Sequence, residues 1–204
     1  MELHARSFVG AVTLLLAVSA AACASPGAEE EESTAESSDA LTGATCSPTR
    51  AVGAVNRYEK ALHDSIAFAE GTEKRGKDGY NVGFAYKYFG SCARHPNINT
   101  CSGRLCSTAA GRYQFLKGTW DTTARAIGAK TFEPENQEKG ARHLINKVRK
   151  VTVPSNRKLT ATEFSNAMKK LSYEWASLPP GRYGQPSHSM AAMRKDYCAN
   201  VGGC

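Results

Sequence analysis

No Cys-x-x-Cys pair occurs in this chain, and its five histidines (His4, His63, His95, His143 and His188) stand apart without ligand spacing. Both absences argue against a zinc site, and no metal or other cofactor is expected. A membrane-spanning helix needs about 20 apolar residues, and the longest apolar run, "FVGAVTLLLAVSAAA" at 8–22, has 15. No basic helix interleaved with aromatics is present, which argues against a nucleic-acid partner despite the positive charge. There is no internal repeat, and no Pro/Gly-rich linker divides residues 46–204. That stretch reads as one domain.

The apolar run at 8–22 has the form of an export signal: Arg6 precedes it, and small residues end it. Two processing routes fit the end of a 1–23 signal segment. Ala22-Cys23-Ala24 matches an A-x-A cleavage site, and Ala20-Ala21-Ala22-Cys23 resembles a bacterial lipobox with Ala in place of the usual Leu. The second route would lipidate Cys23, and such an anchor is the one membrane attachment expected. The protein is then either a periplasmic or outer-membrane lipoprotein or a secreted protein. Residues 24–45 carry six acids and Leu41 as the one large apolar residue, so they read as a solvated tether. Beyond them, residues 46–204 hold 25 Lys and Arg against 12 Asp and Glu, about +13. A basic exported domain suits an anionic cell envelope. It is read as a monomer.

Six cysteines fall in that domain: Cys46, Cys92, Cys101, Cys106, Cys198 and Cys204. An even number in an exported chain predicts three disulfides, with 15 connectivities open. Cys92, Cys101 and Cys106 are expected to help brace one long loop.

Helical spacing marks residues 55–70, where Val55, Tyr58, Leu62, Ile66 and Ala69 recur at intervals of three and four. The stripe ends on Glu70, followed by the helix stop Gly71. Residues 71–110 are glycine-rich, and "YNVGFAYKYF" (80–89) is expected to supply short strands of an irregular β lobe. Helices then return: one capped by Thr119 through Ala126, and one opened by Pro134 with Ala141, Leu144, Ile145 and Val148 on one face. A Thr160/Glu163 capping box precedes Phe164, Ala167, Met168, Leu171 and Trp175. A last helix is expected over 189–197. Helices around a small β insertion make an α+β domain. Trp120 and Trp175 are expected in the core.

Glu70 sits where apolar neighbours and a helix carboxyl end both disfavour ionisation. A carboxyl kept protonated near neutral pH can donate a proton to a glycosidic oxygen. A solvated helix-end glutamate, paired with Lys74 or Arg75, has the same local pattern.

The ordered motifs "AFAEGT" (67–72), "DGYNV" (78–82), "STAAGRYQFL" (107–116), "TW" (119–120), "FEPENQ" (132–137) and "EWASLPPGRYGQ" (174–185) resemble the phage lambda-type endolysins over residues 58–197. The resemblance implies a lysozyme-like fold and lytic transglycosylase activity on peptidoglycan, with Glu70 as the catalytic acid. In that reaction the β-1,4 bond between N-acetylmuramic acid and N-acetylglucosamine breaks without water, leaving a 1,6-anhydro ring. Tyr80, Asn81, Gln114 and Tyr183 are the groove residues expected to hold glycan. Asp78 as a second carboxylate would make the enzyme a hydrolytic lysozyme instead. A non-catalytic wall-binding module on the same fold is a further alternative. Three features depart from the family: the signal and tether, the cysteines, and the loop "SCARHPNINTCSGRLC" (91–106). That loop bears on groove length and chain-end preference.

Overall fold

The computed structural model describes Cys46 and residues 56–204. The expected signal over 1–23, its candidate lipidation site Cys23, the expected tether over 24–45 and Val55 lie outside the described residues. Five α-helices form the framework: α1 (Arg57–Ala69), α2 (Lys117–Ile127), α3 (Pro134–His143), α4 (Ala161–Leu171) and α5 (Met190–Asn200). Between α1 and α2 lies a two-stranded antiparallel hairpin, β1 (Thr100–Ser102) with β2 (Leu105–Ser107). The α+β, mainly helical class read from the sequence holds.

Asn56 starts α1, its side-chain oxygen accepting from the backbone N–H groups of Tyr58 and Glu59 at 3.0 Å. Leu62, Ile66 and Ala69 on its apolar stripe are buried, and α1 packs against α5. Gly71 stops it in the left-handed region at φ +66°. A Cβ there would come within 2.7 Å of the Tyr86 hydroxyl, so the chain needs glycine for space as well as for backbone angle. The Thr160–Glu163 capping box of α4 is complete in both directions.

Four local expectations are corrected. The strands lie at 100–107, and residues 80–89 hold an isolated Val82–Tyr88 bridge around a 3-10 turn (Phe84–Tyr86). Ala85 and Tyr86 both take positive φ, +54° and +60°, which folds that segment back before it can extend. Helix α2 begins two residues before Thr119. Its Lys117 N–H is satisfied from outside the helix by Thr108 Oγ1 at 3.2 Å, a cap that local spacing does not reveal. After α3 the chain widens into a π turn (Leu144–Val148), with the Arg149 N–H reaching back to Leu144 O at 2.9 Å. The wider turn leaves Val148 45% exposed, off the apolar face. Trp175 lies beyond the end of α4, in a turn, yet it is buried with Nε1 donating to Tyr113 O at 3.0 Å.

The six cysteines pair as Cys46–Cys92, Cys101–Cys106 and Cys198–Cys204. The second bridges partners directly opposite in the β1–β2 ladder, and the first is fully buried. Loop-closure entropy makes Cys46–Cys92, with a separation of 46 residues against 5 and 6, the most stabilising. Replacing Cys46 and Cys92 together by Ala is expected to cost about 4 kcal/mol, against about 2 for either short bridge. Denaturant midpoints of the three double variants check this. A larger loss from the hairpin bridge would contradict it.

Candidate active site

A cleft of about 290 Å³ opens beside the end of α1. Phe84, Leu105, Leu116 and Trp175 give it apolar walls, and Glu70, Gln114, Glu174 and Gln185 supply polar groups. The Glu70 backbone caps α1, its N–H bonding Ile66 O at 2.9 Å, so the helix fixes where the side chain starts.

Burial pushes the Glu70 carboxyl up to about 7, and a hydrogen bond from Ser177 Oγ to Oε1 at 2.5 Å pulls partly the other way. The Glu70 carboxyl can therefore carry a proton near neutral pH, and one hydroxyl holds its orientation. Ser177 is itself placed by its carbonyl, which accepts the His188 N–H at 2.9 Å. Ser177 lies inside the motif "EWASLPPGRYGQ", but nothing in the spacing shows that it reaches Glu70 across 107 residues.

Behind the cleft, Thr72 of "EGT" ties the end of α1 to the "GRYQ" turn, its hydroxyl donating to Arg112 O at 2.5 Å. Arg112 is 3% exposed. Its guanidinium reaches Asp64 at 2.9 Å and Asp78 at 2.6 Å. Below it the Glu138 carboxylate accepts from Tyr80 at 2.7 Å and also from the Tyr113 hydroxyl, and it meets His63 Nδ1 at 2.9 Å. Burial opposes ionisation of Glu138. The hydrogen bonds from His63, Tyr113 and Tyr80 outweigh it and hold the carboxyl down at about 2. Gln137 completes this wall, accepting the Arg112 N–H and donating to Tyr80 O and Phe132 O.

The expected groove residues separate. Gln114 lines the cleft. Its Nε2 donates to Val82 O and Gly111 O, both at 2.9 Å, which uses both amide hydrogens and leaves Oε1 to accept from a ligand. Tyr80 does not reach the cleft: it is 5% exposed and its hydroxyl is held by Glu138. Asn81 closes a turn, accepting the Lys77 N–H at 2.9 Å. Tyr183 is exposed, donates to Tyr173 O at 2.9 Å and is not among the cleft's lining residues, whereas Gln185, two positions on, is. Asp78 is engaged by Arg112 and by the Lys74 N–H, and Glu73 lies 3.6 Å from Lys74. The sequence reading passed over Glu174. It lines the cleft with Glu70 and pairs with Arg149 Nε at 2.6 Å.

Residues 60–204 match the family model described as Endolysin. The chain belongs to the endolysin family. The endolysin of Escherichia phage lambda is 33% identical over 144 residues, covering 68% of this chain and 88% of that protein. A structure of bacteriophage lambda lysozyme complexed with a chitohexasaccharide matches with a TM-score of 0.65 at 32% identity. A second structure of lysozyme from bacteriophage lambda gives 0.63 at 30%. Each of the two covers 74% of this chain and 97% of the lambda chain. This endolysin is thus a lysozyme-like, cell-wall-cleaving enzyme, and the lysozyme-like fold expected from its motifs is the one it has.

Proposed function

We propose that this endolysin breaks the β-1,4 bond between N-acetylmuramic acid and N-acetylglucosamine in peptidoglycan without water, leaving a 1,6-anhydro muramic end. Glu70 acts as acid and then as base. The observation that carries the reading is a raised, hydroxyl-oriented carboxyl in a cleft whose other carboxylate is already engaged. Cleavage begins as Glu70 gives its proton to the glycosidic oxygen, so the bond electrons leave with the N-acetylglucosamine side. Positive charge develops at the muramic anomeric carbon. The ionised Glu70 then takes the proton of the substrate's own 6-hydroxyl, whose oxygen closes on that carbon, and the acid is restored. Proximity favours this internal nucleophile over an incoming water. Gln114 Oε1 is placed to accept from a sugar amide or hydroxyl, and Phe84, Leu116 and Trp175 offer apolar surface to a sugar ring. The lambda enzyme's sugar complex supports a glycan in the corresponding groove here. The reading extends to export: a signal over 1–23, with Cys23 either lipidated or removed near cleavage, would deliver the enzyme to its wall.

Hydrolysis has one observation in its favour, the presence of Glu174 in the same cleft. Hydrolytic glycosidases of the common type use two carboxylates, one of them to activate water or attack the sugar. Here the Arg149 ion pair commits one Glu174 oxygen, and Asp78 is held by Arg112. Glu174→Gln and Asp78→Asn are each expected to keep lytic activity within about tenfold of the parent, measured by turbidity clearance of purified walls. A loss of about 1,000-fold in either, on the scale of a missing acid-base group, would make that residue a second catalytic carboxylate.

A further inference from the structure

A cavity larger than the cleft, about 500 Å³, lies against α2 and the turn that follows it. Four cationic side chains border it, Arg94, Lys117, Arg125 and Lys130, against one carboxylate, Asp121. That carboxylate is already neutralised by Lys117 at 2.5 Å. Among the described residues, neither Arg125 nor Lys130 has a carboxylate partner. His95 adds no charge: Nδ1 accepts the Asn97 N–H at 3.1 Å, so Nε2 carries the hydrogen and donates to Phe115 O at 2.8 Å. Thr131 Oγ1 accepts from Asn136 Nδ2 at 2.9 Å, which leaves its own O–H to donate into the cavity. The carboxyl end of α2 contributes a fraction of a negative charge, less than the excess of cations. Trp120, Ala124 and Ala129 give the cavity an apolar floor.

The cavity shares no lining residue with the cleft, yet the two come within one peptide unit of each other at the start of α2. Leu116 borders the cleft and Lys117 borders the cavity. The cationic lining favours an anionic group with an apolar part beside it, and the adjacency of Leu116 and Lys117 suits one tethered to whatever occupies the cleft.

We propose that this cavity is a subsite for a carboxylate of the peptide stems that peptidoglycan carries on its muramic sugars. The inference rests on the reading of the cleft as a peptidoglycan site. Seated there, a stem carboxylate meets Arg125 and Lys130, which have no carboxylate partner among the described residues, and the Thr131 hydroxyl, while the stem's aliphatic parts lie against Ala124 and Ala129. The subsite makes stem-bearing glycan a better ligand than bare glycan, and it accounts for a basic cavity that the cleavage chemistry does not use.

The test uses the full chain carrying Glu70→Gln, so that glycan is bound and not cut. Calorimetry compares uncut glycan oligomers bearing free stems, the same oligomers with stem carboxylates amidated, and oligomers stripped of stems by an amidase. Free stems are expected to tighten binding at least tenfold over either control. Adding Arg125→Glu with Lys130→Glu, both exposed positions, should remove that gain. Adding Lys169→Glu with Lys195→Glu, an equal change in net charge at exposed sites elsewhere, should keep it. Equal affinity for stemmed and stripped oligomers overturns the subsite, as does a gain lost equally in both charge-reversed proteins. Displacement by inorganic polyphosphate without any stem effect also overturns it, in favour of a phosphate polymer. Stripped oligomers report the cleft alone. Their failure to bind counts against the cleft reading, whereas a missing stem gain counts against the subsite only.

Discussion

Glu70→Gln is expected to lower wall lysis by at least about 100-fold and as much as 10,000-fold, the range for a positioned general acid, with the fold retained. The side chain keeps its size, and Gln Oε1 still accepts from Ser177. On the proposed mechanism the substitution removes the transferable proton, and with it the base for the second half of the reaction. The same variant carries a second signature that a merely structural residue would not show. In the folded protein the carboxyl ionises at about 7, against 4.5 when free. The native state therefore holds the proton more tightly than the unfolded chain. Glu70 costs nothing below pH 4.5, and stability falls as pH rises from there through about 7. Above that, the ionised carboxylate costs on the order of 3 kcal/mol, and Gln removes the cost. Glu70→Gln is thus expected to be more stable than the parent at pH 8 and equal to it near pH 4, by chemical denaturation at each pH. A variant that is inactive but also less stable at pH 8 would point to a structural role.

Glu138→Leu is expected to destabilise the fold by about 5 kcal/mol, the upper end for breaking a buried charged cluster. The loss is large because one carboxylate satisfies the Tyr80 and Tyr113 hydroxyls and His63 at once, all buried. Each stranded buried polar group costs roughly 1–3 kcal/mol. Arg112 Nε, 4.0 Å from Glu138, loses a compensating charge as well. The parent should show the linked acid sensitivity. With the folded carboxyl at about 2 and the free one at 4.5, this stabilisation is present above pH 4.5 and is lost as pH falls toward 2. Unfolding curves from pH 7 to pH 2, with the Glu138→Leu curve markedly flatter over the acid range, check both statements. An equally acid-sensitive variant would place the sensitivity elsewhere.

Much of the framework was legible in the residues because it is encoded locally. The apolar spacing of α1, Pro134 at the start of α3 and the Thr160–Glu163 box each act within one or two helical turns. The elements that went astray are set at a distance: α2 starts where Thr108 reaches it, and residues 80–89 fold back on two left-handed residues. In the site, Glu70 could be found because an acid closing an apolar helical stripe is a local anomaly. Ser177 and Glu174 could not, since both reach the cleft from a turn more than 100 residues along the chain. Tyr80 was misplaced for a related reason. A tyrosine beside Asn81 in a glycine-rich loop looks like a sugar platform, and only the buried Glu138 shows that its hydroxyl is spoken for.

Mass spectrometry of the muropeptides released from purified walls separates anhydro from hydrolytic cleavage. With Glu70 acting alone, the muramic ends close on their own 6-hydroxyl and come off one water lighter than hydrolytic ends, by about 18 Da. The expected dominant product has 1,6-anhydro muramic ends, and Glu70→Gln releases none. Predominantly reducing muramic ends would overturn the 1,6-anhydro route and make this endolysin a hydrolytic lysozyme.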